Sequence, residues 1–261
     1  MIIKKKPEIK KHTDVTSKTP KKNTEKKPLP SSEKNLKPLY IAMIIDKSGS
    51  MSSLSQSTVD GFNEYISAQQ RDAKEATVSV TLFDNKQIML HENKNIMDIP
   101  KLDVPTYQQY GMGTTALNDA IGSTIMSMEQ FKEIKNRRVL IVVMTDGAEN
   151  ASIEWNRQSI ADLRAKKEAE GWMFVFFGQN ESAMAESRHI GVPIMRSVVY
   201  NGNDAGTRNA FSRLSRATTM YNSNADEKTW TNALHEEKDQ NIIAKDPNNI
   251  PNIFMGSKSK T

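Results

Sequence analysis

Apolar residues fall into two kinds of pattern along this chain. Leu39-Tyr40-Ile41-Ala42-Met43-Ile44-Ile45 is an unbroken apolar run that stops at Asp46. Val139-Leu140-Ile141-Val142-Val143-Met144 is a second, running into Thr145 and Asp146, and Trp172-Met173-Phe174-Val175-Phe176-Phe177 is a third, ended by Gly178. Continuous runs of this length predict strands covered on both faces, as in parallel sheets. Thr77 to Phe83 alternates instead, and Asp84-Asn85 turns it into Gln87-Ile88-Met89-Leu90, which predicts a hairpin and an antiparallel edge. Between the strands the period changes to that of a helix. Val59, Phe62 and Ile66 share one helical face behind a start at Ser57-Thr58. Leu117, Ile121, Ile125, Met128 and Phe131 share another, predicting a helix over 116–134. Helices are also expected over 159–170, 182–190, 206–221 and 226–237, with a short strand over 194–200 and a loop around Pro100 and Pro105. This rhythm predicts an α/β fold: an open, mostly parallel, doubly wound (Rossmann-like) sheet with one antiparallel edge strand and helices on both faces.

The apolar pattern starts at Leu39 and fades after Asn222, which sets the expected boundaries. Residues 39–222 form the domain, 1–38 a disordered Lys-rich tail, and 223–261 a polar, partly helical extension. At 261 residues and 37% hydrophobic the chain suits one substantial domain with extensions. Its charge of +5 is uneven: residues 1–38 hold twelve Lys against Glu8, Asp14, Glu25 and Glu33, a local +8, so the remainder carries -3. Such a segment cannot bury enough apolar surface to offset its ordering entropy. Its lysines suit non-specific contact with nucleic-acid phosphates, but it has no Arg for bidentate base readout and no aromatic for stacking.

Composition excludes several chemistries. With no cysteine there is no disulfide scaffold, thiolate metal site or cysteine nucleophile. His12, His91, His189 and His235 are scattered, with no pair at the spacing of a zinc hydrolase. No apolar run approaches the roughly 20 residues that span a bilayer, and no apolar stretch follows the basic N-terminus as a secretory signal requires. A soluble protein without membrane contact is expected, in the cytoplasm (the bacterial host's, if phage-encoded).

Ligands of open α/β sheets sit beyond the carboxyl ends of the strands, where strand order reverses. Three segments reach that edge here: Asp46-Lys47-Ser48-Gly49-Ser50-Met51, Gly111-Met112-Gly113-Thr114-Thr115-Ala116-Leu117, and Thr145-Asp146-Gly147. They offer two carboxylates and several hydroxyls, with no nitrogen or sulfur donor. Oxygen-only donors suit a hard divalent cation, Mg2+ (or Mn2+). In Asp46-x-Ser48-x-Ser50 a curled loop turns alternate side chains toward one point, and Gly49 permits the turn.

These segments resemble the metal-ion-dependent adhesion site of the von Willebrand factor type A domain, whose motif is Asp-x-Ser-x-Ser, a distant Thr and an Asp usually followed by Gly. Asp46, Ser48 and Ser50 match the first part and Asp146 the last. Thr115 best matches the threonine, because Thr115-Ala116-Leu117-Asn118-Asp119-Ala120-Ile121 aligns with the usual Gly-Gly-Thr-x-Leu…Ala-Ile phrase, and Thr114 is the rival. The resemblance covers about residues 39–200. It implies a metal held by Asp46, Ser48, Ser50, Thr115 and Asp146, the hydroxyls directly and the carboxylates directly or through water. It also implies a protein partner whose Asp or Glu carboxylate completes the shell. Asp146-Gly147-Ala148-Glu149-Asn150-Ala151-Ser152, and Phe177-Gly178-Gln179-Asn180 through Gly206-Thr207-Arg208 to Tyr221, also resemble small type A proteins of bacteria and their phages.

Other residues near these segments have plainer readings. Asp84-Asn85 reads as a turn and Asp119 as a solvent acid favoured by a helix N-terminus. Glu149 and Asn150 are either a surface loop or supports of the site, and Met51 and Met112 either filling or an apolar rim for a partner. No base–nucleophile pair is evident, so a binding module is expected rather than an enzyme. The enzymatic alternative is Mg2+-dependent phosphoryl transfer through Asp46, but such enzymes carry a second acid two residues on, where this chain has Ser48.

Overall fold

The computed structural model of the chain describes residues 36–236. Most of the Lys-rich tail and the segment beyond Glu236 lie outside them. In chain order the elements are β1 (Leu39–Asp46), α1 (Ser55–Asp72), β2 (Thr77–Phe83), β3 (Gln87–Asn95), α2 (Val104–Tyr107) and α3 (Leu117–Met128). There follow β4 (Arg138–Thr145), α4 (Arg157–Ala169), β5 (Met173–Gly178), α5 (Glu181–His189), β6 (Ser197–Val199), α6 (Asp204–Asn222) and α7 (Glu227–His235).

The six strands form one sheet in the order β3-β2-β1-β4-β5-β6. All neighbours are parallel except β2 and β3. The continuous apolar runs find cover on both sides, as their composition requires. Ile41, Met43 and Ile45 of β1, with Leu140, Val142 and Met144 of β4, face one core with Phe62, Phe211 and Leu214. Tyr40, Ala42 and Ile44, with Val139, Ile141 and Val143, face the other with Leu117, Ile121 and Ile125. The sheet is therefore doubly wound, and its order reverses between β1 and β4.

Three expectations change in detail. The helix predicted over 116–134 ends at Met128, because Gln130 and Phe131 close tight turns onto Ser127 and Met128 and a 3-10 turn over Lys132–Asn136 leads down to β4. The strand expected over 194–200 is three residues long, preceded by a 3-10 turn. The loop around Pro105 holds one helical turn, α2, capped by Asp103 accepting from the Thr106 N–H. The packed body also continues past Asn222. Trp230, Ala233 and Leu234 of α7 sit at i, i+3 and i+4, and all three are buried in the core that α1 and α6 share.

Candidate metal site at the sheet switch point

Asp46 ends β1 and Asp146 follows β4, so the reversal of strand order sets the two carboxylates side by side. A ring of short hydrogen bonds links the loops around them. One Asp46 oxygen accepts from the Ser48 N–H at 2.6 Å and the other from the Thr145 hydroxyl at 2.5 Å. The Ser48 and Ser50 hydroxyls are 3.2 Å apart, and Ser50 donates to Asp146 at 2.7 Å. Thr115 is buried, and a Cβ on Gly147 would lie 3.8 Å from its hydroxyl. Its N–H donates to Asn150 Oδ1 at 2.9 Å and its carbonyl accepts from the Asn150 N–H at 3.0 Å, which seats it against the Asp146 loop. Thr114 is exposed. The fold thus brings Asp46, Ser48, Ser50, Thr115 and Asp146 to one rim and leaves Thr114 facing outward.

The electrostatics of this rim favour a cation. Asp46 is fully buried, and burial pushes its carboxyl up to about 6; the Thr145 and Ser48 hydrogen bonds oppose the shift and Asp146 adds to it. Burial also raises Asp146, against the Ser50 hydrogen bond. Among the described residues neither carboxylate has an ion-pair partner. Lys47 is adjacent in sequence but turns away: its buried ammonium donates to Asp84 at 2.7 Å and to the Gly111 carbonyl at 2.8 Å. Two buried carboxylates without a counter-charge, fringed by hydroxyls, fit a hard divalent ion. Among the described residues no cluster of three or more His, Cys, Asp or Glu is placed to hold a metal, so hydroxyls would have to complete any shell.

Several residues that support the rim had plainer readings in the sequence. Asp84 is more than a turn residue. It holds Lys47 and also accepts from the Gly113 N–H at 3.1 Å, while Gly49 donates to the Gly113 carbonyl at 2.8 Å. Asp119 is not a solvent acid: it is buried and accepts from the N–H groups of Ile153, Glu154 and Trp155. Glu149 accepts from the N–H groups of Asn118, Ala151 and Ser152, so it braces the loop after Asp146 against α3. Tyr107, which the sequence did not single out, donates to the Asp46 carbonyl at 2.5 Å. Tyr200 is buried within electrostatic reach of both carboxylates, and its hydroxyl is raised by burial and by that proximity. Met51 is fully buried and is filling, whereas Met112 is half-buried: it packs against the core yet stays partly exposed between Gly111 and Gly113.

A sheet edge of this kind defines a class: an open α/β domain whose switch point presents oxygen donors. The comparisons narrow it. No family model and no curated protein matches the sequence. Solved structures match the fold. The von Willebrand factor domain of the type V pili tip protein Mfa5 from Porphyromonas gingivalis superposes with a TM-score of 0.53 at 8% identity, covering 71% of this chain and 96% of its own. Proximal thread matrix protein 1 from the mussel byssus, with a zinc-occupied adhesion-site motif, gives 0.55 at 14%, covering 70% of this chain and 46% of its own. The pilus adhesin SpaC from Lactobacillus rhamnosus GG gives 0.58 at 10%, covering 72% and 31%. This chain thus spans less than half the length of the latter two. At such identities the likeness is one of fold: the chain has a von Willebrand factor type A fold. These neighbours are matrix and adhesion proteins. Among the described residues no helix is long and apolar enough to cross a membrane.

Proposed function

We propose that this chain is a metal-dependent protein-binding module rather than an enzyme, with Asp46, Ser48, Ser50, Thr115 and Asp146 holding Mg2+ (or Mn2+). The observation that carries the reading is the pair of buried carboxylates at the switch point, without counter-charge and ringed by hydroxyls. The ion, when bound, supplies a hard electrophilic centre for a carboxylate oxygen from a protein partner. The chain's own residues do the rest. Thr145 and the Ser48 N–H fix the two oxygens of Asp46, Ser50 fixes Asp146, and the Lys47–Asp84 pair holds the first and second loops together. Oxygen-only donors suit Mg2+ or Mn2+, and the byssus neighbour's motif of the same name holds a divalent ion, zinc.

Isothermal titration of the chain with Mg2+ tests this. Wild type binds one ion and Asp46→Ala or Asp146→Ala binds none, while circular dichroism of both variants matches wild type. Equal Mg2+ uptake by all three would refute it. The twelve lysines of residues 1–38 support a separate, non-specific contact with nucleic acid. Deleting residues 1–38 is expected to abolish DNA retention at low salt, and retention unchanged by the deletion would refute the contact. We place the protein in the cytoplasm, which the absence of cysteine supports and cell fractionation checks.

A further inference from the structure

A pocket of about 440 Å3 opens at the edge of the sheet opposite the metal site. Lys37 stands two residues before β1, Arg137 directly before β4 and Trp172 directly before β5, and all three line it. These strands are parallel neighbours, so the pocket lies at their amino ends, whereas Asp46 and Asp146 stand at the carboxyl ends of two of them. A strand of eight residues such as β1 sets the two edges about 25 Å apart.

Charge at this pocket is unbalanced. Its two acids are already taken: Glu129 and Glu170 both close on the Lys167 ammonium, the latter at 2.7 Å. Lys167 is 3% exposed and its ammonium lies 5.0 Å from the centre of the Trp172 ring, which makes this wall a built one. The other three cations have no such partner. Lys37 donates to the Lys135 carbonyl at 3.0 Å and Arg137 to the Glu75 carbonyl at 2.8 Å, neutral acceptors that fix the side chains without cancelling their charge. Glu133 lies within electrostatic reach of Arg137 but bonds Asn93 at 2.8 Å. Among the described residues no carboxylate pairs with Lys37, Lys135 or Arg137, and the Lys135 ammonium bonds nothing. Four cations against two acids leave the lining with two positive charges in excess. Like charges held around one hollow repel each other, and a bound anion removes that repulsion.

The excess sets the class of ligand. A lone carboxylate would leave one charge uncompensated, whereas a phosphate monoester at neutral pH carries close to two negative charges. Arg137 offers a planar fork and the lysines offer point charges, both of which phosphate oxygens accept. The volume falls in the range of small-molecule sites, and buried Ile134 and Trp172 give the pocket an apolar side for an organic body. We propose that this pocket is a second ligand site, separate from the metal, which takes a small organic phosphate monoester through Lys37, Lys135 and Arg137.

The test is isothermal titration of the full chain, in chelator, with AMP, with glucose 6-phosphate and with inorganic phosphate. At least one ester is expected to bind tenfold or more tightly than inorganic phosphate, and the tighter ester shows whether the body is a nucleoside or a sugar. Lys135→Glu reverses a charge in the pocket while breaking no bond of the fold. It is expected to weaken that ester tenfold or more, with its melting temperature at the wild-type value. Lys101→Glu makes the same change of net charge at an exposed position outside the pocket, and its affinity is expected to match wild type. Esters that bind no better than inorganic phosphate overturn the proposal. Equal losses in the two variants overturn it as attraction by net charge alone, and an unchanged affinity in Lys135→Glu overturns it by placing the ester on the lysines before Lys37.

Discussion

Asp46 decides the behaviour of the site at the scale of a single residue. In the folded, metal-free chain its carboxyl titrates at about 6, against 3.8 in the unfolded chain, chiefly because it is buried. Between these values the unfolded chain ionises first, so rising pH favours unfolding, and the loss is complete above about pH 6. The size is on the order of 3 kcal/mol. Urea unfolding in chelator should therefore show this contribution falling as pH rises through that window, an effect absent in Asp46→Asn. At neutral pH and without metal, Asp46→Asn should be more stable than wild type by about 1–3 kcal/mol, because it removes a buried charge that no cation neutralises. The same variant should gain nothing from Mg2+. A metal-free Asp46→Asn less stable than wild type at pH 7 would contradict the account.

At the scale of elements, the rim is held from behind by ion pairing and by backbone groups tied to carboxylates. Lys47 and Asp84 are both almost wholly buried, and between them they bond the loops after β1 and β2 to the stretch before α3. Removing one partner leaves the other charged in a dry setting. Lys47→Met should cost about 3–5 kcal/mol in urea unfolding, and adding Asp84→Asn should recover a large part of that. An additive double variant would mean that the pair is not coupled. Asp119 and Glu149 act in the same way on the loop after Asp146, each satisfying N–H groups that a tight turn leaves unpaired.

At the scale of the molecule, α7 and the metal site stand at separate places but draw on one core. Trp230 is 2% exposed, packs edge-on to Tyr221 with ring centroids 5.4 Å apart, and shares its core with Leu140 and Val175. Trp230→Ala should cost about 3–5 kcal/mol, read from a thermal or chemical denaturation midpoint; a surface-like cost near zero would show that α7 is an appendage. Binding of a cation to the folded chain alone raises stability by mass action, about 2.7 kcal/mol at a hundredfold excess over Kd. The melting temperature should therefore climb with Mg2+ concentration in wild type and stay flat in Asp146→Ala.

The sequence by itself determined what depends on near neighbours along the chain. Three continuous apolar runs dictated buried parallel strands, alternation at Thr77–Phe83 followed by the Asp84-Asn85 turn dictated a hairpin with an antiparallel edge, and the acids ending two of those runs marked where ligands gather. These are local signals, because hydrophobic period and strand-end chemistry need no knowledge of the rest of the fold. Only the tertiary structure decided the matters that depend on distance in space. It faced Thr115 inward and Thr114 outward, turned Lys47 from the carboxylates to Asp84, buried Met51, and gathered Lys37, Lys135 and Arg137 around one pocket. The packing of α7 belongs to the same group, since Trp230, Ala233 and Leu234 form a stripe too sparse to stand out in a polar stretch until another helix covers it. In each case the residue's role is set by partners tens of positions away, whose approach depends on how the sheet is wound.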